Sequence, residues 1–155
     1  MRQWRRFRRV LRAEDGTASL EFVTAGMILL LPMVYLVLTM SALQAGSLAV
    51  EGAARQAVRV YVQAPNTRNA EAEAERAIRF ALADYGLDSS AASVSVSCSP
   101  RPADCLRRRA TVTITVGVSV NLPLVPSALT VGAPLTVPVR STATEQVSRF
   151  WGAGS

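Results

Sequence analysis

The chain contains no histidine and no lysine, and only two of its 155 residues are cysteine. Without histidine it lacks the commonest general base and metal ligand. Two cysteines alone are too few ligands for a tetrahedral Cys/His zinc site. Aromatic residues make up 6% of the chain. None is interleaved with Arg107-Arg108-Arg109, as stacking of single-stranded nucleic acid on that cluster would require. These absences argue against an enzyme, a metal centre, a bound cofactor and a nucleic-acid partner.

What the sequence does contain is unevenly spread. The formal charge is +6, and every basic residue is arginine. Arg2, Arg5, Arg6, Arg8, Arg9 and Arg12 precede Glu14 and Asp15, so the leader carries 6 − 2 = +4 and the remainder 11 − 9 = +2. The basic character therefore belongs to a short leader, and the body is nearly balanced. From Phe22 to Val50 no residue is charged. About 20 apolar residues suffice for a helix to cross a hydrocarbon core of roughly 30 Å, and one proline, Pro32, is tolerated in such a helix. A secretory signal has a shorter apolar region, about 7–15 residues, before a small-x-small cleavage site. Ser47-Leu48-Ala49 matches such a site only weakly. A buried core helix of this length would need a larger body to wrap it. The expectation is a single membrane span over about residues 22–50, with the lipid bilayer as a partner. The arginine asymmetry places the N-terminus in the cytoplasm and exports the C-terminal body across the cytoplasmic (inner) membrane.

The junction reads Gly16-Thr17-Ala18-Ser19-Leu20-Glu21-Phe22. A carboxylate inside a membrane helix is costly and usually has a partner. Cleavage after Gly16 would leave Thr17 with a free α-ammonium and Glu21 at mature position five, so that the amine on one subunit could neutralise Glu21 on its neighbour. The plainer reading leaves Glu21 hydrated at the interface.

These residues, followed by an apolar run containing Leu31-Pro32, resemble the class-III signal of type IV prepilins. More narrowly, residues 12–45 resemble TadE-like pseudopilins of tight-adherence (Flp) pilus systems. The resemblance implies cleavage after Gly16 by a prepilin peptidase, an assembly role for Glu21 and Phe22, and partners among other pilins, pseudopilins and pilus-assembly membrane proteins. An uncleaved signal-anchor protein with an exported ligand- or partner-binding domain is the alternative.

Ser41, Ala45, Ala49, Ala53 and Ala57 recur every four residues, beside Ala42, Gly46, Val50, Ala54 and Val58. Small residues at this spacing let apolar helices approach closely in lipid. In so alanine-rich a chain, composition alone produces the same pattern. The stripe continues beyond the apolar run, which argues for one helix over 17–63, about 70 Å long at 1.5 Å per residue, bent at Pro32.

The body, residues 64–155, opens with a break at Ala64-Pro65-Asn66-Thr67. A second helix is expected over about 70–85, with Asn69 as N-cap and Gly86 as the C′ residue. Glu71, Glu73 and Glu75 fan around that helix, as a solvated face does. Alternation over Ala92–Cys98, Ala110–Leu122 and Leu135–Val147 marks strands with one wet face. Pro123, Pro126 and Pro134 frame a loop, and Pro138 argues for an edge strand or a bulge. Cys98 and Cys105 suit a short disulfide in an exported domain, and their spacing is not that of a C-x-x-C redox motif. Arg107-Arg108-Arg109 reads as a solvated turn or an anionic surface contact. The fold class is α+β and pilin-like: a long N-terminal transmembrane helix entering a small domain, with a second helix and three or four antiparallel strands.

Overall fold

The computed structural model describes residues 17–123 and 135–152. The basic leader with Gly16, and the segment holding Pro126 and Pro134, lie outside them. Among the described residues the architecture is α+β. Helix α1 spans Thr17–Gln63, helix α2 Thr67–Ala83, and a 3-10 turn Ser89–Ala91. Strands β1 (Ser93–Ser99), β2 (Thr111–Asn121) and β3 (Thr136–Gln146) form one antiparallel sheet in the order β1-β2-β3.

The chain divides within α1, between Thr39 and Met40. The first unit is the apolar half of the helix, where residues 19–38 are all exposed. The second unit begins at Met40, because the last turns of α1 belong to its core. Ala49, Val50, Ala53, Ala54, Ala57, Val58 and Tyr61 are buried with Val112, Ile114, Val116, Val118 and Val120 of β2. Gly46 permits the closest approach, since a Cβ there would overlap Val120 Cγ2. At the other end of the sheet, Trp151 donates its indole N–H to the Ala64 carbonyl at 3.0 Å.

The N-cap of helix α2 lies three residues before the Asn69 expected from sequence. Asn66 is the N-cap, and its side-chain oxygen accepts from the Asn69 N–H at 2.9 Å. The chain turns sharply enough after Pro65 for Asn66 to serve. The buried row is Ala70, Ala74, Ile78 and Leu82, a strict four-residue repeat. At the far end Gly86 is left-handed, with φ +67°. The Leu87 N–H returns to the Leu82 carbonyl and the Gly86 N–H to that of Ala83. This is the Schellman closure that a C′ glycine allows. Tyr85, the last residue of the helix expected over 70–85, lies beyond the helix and is exposed.

The strands follow the sequence alternation. β2 turns Val112, Ile114, Val116, Val118 and Val120 inward and Thr111, Thr113 and Thr115 to the other face. Thr113 and Thr115 share hydroxyl hydrogen bonds with Thr144 and Thr142 of β3 at 3.0 and 2.9 Å. Pro138 sits on β3, an edge strand as expected. Among the described residues the sheet has three strands, the lower of the two numbers expected.

Candidate functional site

Helix α1 supplies the first candidate surface. It is long and apolar enough to cross a membrane. Glu21 is the single charged residue between Thr17 and Val50, and both Glu21 and Phe22 are exposed, Phe22 by 81%. Thr17 is the first described residue of the helix. Thr24 and Thr39 turn their hydroxyls back onto the carbonyls of Leu20 and Tyr35 at 2.7 and 2.8 Å. Each hydroxyl is thereby satisfied within the helix, as an apolar environment demands. The helix continues through Pro32 without interruption.

The small-residue stripe is split in its use. Ser41 is exposed and Ala45 half-buried, whereas Ala49, Ala53 and Ala57 are fully buried. The buried three bring α1 close to the chain's own sheet, together with Gly46, Val50, Ala54 and Val58. Close backbone approach is served either way. Here the partner of the lower stripe is intramolecular, and only Ser41 and Ala45 keep surface for another helix.

Cys98 and Cys105 form a disulfide with a Cα–Cα distance of 5.2 Å. It ties the end of β1, where Cys98 pairs with Val112, to the turn that leads into β2. Arg107, Arg108 and Arg109 are exposed in a turn. The Arg108 Nε donates to the Trp151 carbonyl at 2.9 Å, and Arg109 takes φ +64°.

The glutamates of α2 do not converge. Glu73 and Glu75 pair with Arg76 and Arg79 at 4.0 and 2.8 Å. Glu71 instead borders a groove between α2 and β1 that the sequence did not disclose. Tyr61 lines the same groove, and burial, reinforced by the negative charge of Glu71, holds its phenol above the ordinary value of 10. Tyr61 carries no signal in the sequence, because a tyrosine near a helix end reads as ordinary core. Among the described residues no group of three or more acidic or cysteine side chains is placed to hold a metal ion.

No protein-family model, curated protein or solved structure matches the chain. The functional reading therefore stands on the residues and their geometry.

Proposed function

We propose that the chain is a TadE-like minor pilin or pseudopilin that acts in assembly of a Flp-type pilus. A prepilin peptidase removes residues 1–16, and α1 then anchors the protein in the cytoplasmic membrane with its globular unit exported. The observation that carries this reading is the make-up of α1. Residues 19–38 are wholly exposed and carry one charge, Glu21, while the same helix continues as the core element of a small α+β unit. An ordinary anchor needs neither Gly16 before the helix nor a carboxylate at its mouth. In the proposed role, the Thr17 ammonium of one subunit neutralises Glu21 of the next, which makes lateral association of the apolar helices electrostatically favourable. Ser41 and Ala45 extend that contact as small residues on the exposed part of the stripe.

The test is the mass and N-terminal peptide of the protein from its native membrane, compared with Gly16→Leu. Loss of residues 1–16, abolished by the substitution, is the expected result. An intact N-terminus in cells with an active prepilin peptidase would leave the uncleaved signal-anchor reading in its place.

A further inference from the structure

The inner face of the sheet is covered unequally. Val94 and Val96 of β1 point to the same face as their ladder partners Val116 and Ile114. Those partners are fully buried, yet Val94 and Val96 remain 48% and 42% exposed. Beside them, between β1 and α2, runs a groove of about 450 Å³ lined by Tyr61, Ala74, Ile78, Val94, Val96 and Ile114. Tyr61 is only 2% exposed.

The two edges of the sheet also differ. Edge strands are normally blunted by charges, proline or a bulge, because their unpaired backbone groups template further pairing. β3 carries Pro138, Arg140 and Glu145. β1 reads Ser-Val-Ser-Val-Ser-Cys-Ser, with no charge and no proline. Charge gives the last clue. At the groove Glu75 is paired with Arg79, whereas Glu71 is in no ion pair among the described residues.

We propose that the β1 edge and the groove beside it receive an extended segment of a partner polypeptide. The segment adds a fourth strand to the sheet, inserts apolar side chains from alternate residues into the groove, and sets a lysine or arginine against Glu71. Main-chain hydrogen bonds to an edge strand supply affinity, and pockets for alternate side chains supply selectivity. A second copy pairing through its own β1 is disfavoured, because β1 carries no basic residue to set against Glu71.

The test uses the full chain in nanodiscs of zwitterionic lipid and a panel of synthetic peptides. Each peptide has about nine residues, enough to run the length of β1 at roughly 3.4 Å per residue. Valine occupies alternate positions except one, which is lysine and is moved along that same face, and serine or threonine fills the positions between. Amide hydrogen exchange over Ser93–Ser99 is the readout. At least one register is expected to slow exchange there, and a central proline in the same peptide to abolish the effect. Changing its lysine to glutamate is expected to weaken binding about fivefold, the scale of an exposed ion pair turned repulsive. Glu71→Lys, on an exposed helix position, is expected to reverse that preference. Val96→Arg, with its melting temperature retained, is expected to lose binding altogether. The proposal is overturned if no peptide slows exchange at β1, or if the preference for lysine survives Glu71→Lys. It is also overturned if the chain alone forms a dimer that protects β1. An intact N-terminus in the processing experiment would not alter any of these outcomes.

Discussion

Gly46 lies where α1 meets Val120 and Val139, and a Cβ there would overlap Val120 Cγ2 and stand 3.5 Å from Val139 Cγ2. A larger side chain must push the helix from the sheet or force Val120 off its rotamer, and overpacking of this kind costs typically about 1–3 kcal/mol. Gly46→Leu is therefore expected to lower the unfolding free energy by that amount in chemical denaturation of the full chain in detergent. Gly52 is the internal control. It has open space around its Cβ position, so Gly52→Ala is expected to be neutral or to stabilise by up to about 1 kcal/mol through helix propensity. Tyr61 gives a second measurement at this scale. Its phenol is raised above 10 by burial and then by Glu71. A group whose folded pKa exceeds its unfolded value contributes stability in full below the unfolded value. That contribution is lost as pH rises through the folded value. Stability is thus expected to carry no Tyr61 dependence at neutral pH and to fall in the alkaline range, with Tyr61→Phe removing that part of the slope. In a Tyr35→Phe, Tyr85→Phe background, ultraviolet titration is expected to show the remaining phenol ionising above 10. Glu71→Gln should move it down.

At the scale of elements, the disulfide is the feature whose removal is easiest to interpret. Cys98 and Cys105 are seven residues apart, and the chain-entropy model assigns so short a loop about 2–3 kcal/mol. Replacing both by alanine is expected to lower the unfolding free energy by that much. Amide exchange should rise first over Ser97–Ser99, where β1 ends against Thr111–Thr113. A melt unchanged by the double substitution would mean that the core alone fixes that end of the sheet. Much of this level was legible in the sequence. Two-residue alternation located all three strands within a residue or two, and Pro138 marked the edge correctly, because both signals are local. The N-cap was misplaced from Asn66 to Asn69, since either asparagine satisfies the local rule and only the path of the chain after Pro65 decides between them. The small-residue stripe was harder still. Every fourth residue being small says that a backbone comes close. It does not say whose backbone, and for Ala49, Ala53 and Ala57 it is the chain's own. The groove beside β1 had no local signal. Alternation predicts which face Val94 and Val96 take, but their coverage depends on where α2 lies.

At the scale of the whole molecule, the proposed role has α1 serve two environments, and the composition of the helix changes along its length. Residues 19–38 are exposed and apolar, while buried alanine and valine begin to recur from Ala49. A helix that only anchored a domain would have no use for Glu21. An acidic residue costs about 2.5–3.5 kcal/mol at the centre of a membrane helix, less towards its ends. Retaining one implies a compensating partner or continued hydration, and the two make opposite predictions. If Thr17 of a neighbouring subunit neutralises Glu21, then Glu21→Leu removes the compensated charge. It leaves membrane insertion intact or improved and the neighbour's ammonium without its partner. Cleavage after Gly16 and sedimentation with the membrane are then expected to persist, while surface pili counted by electron microscopy are lost. Glu21→Asp, which keeps the charge on a shorter arm, is expected to restore them in part. If Glu21 is merely hydrated at the interface, both variants assemble as the parent does. Scoring processing, membrane retention and pilus number on the same strains separates an assembly contact from an insertion defect, because only the contact predicts loss of the third with the first two unchanged.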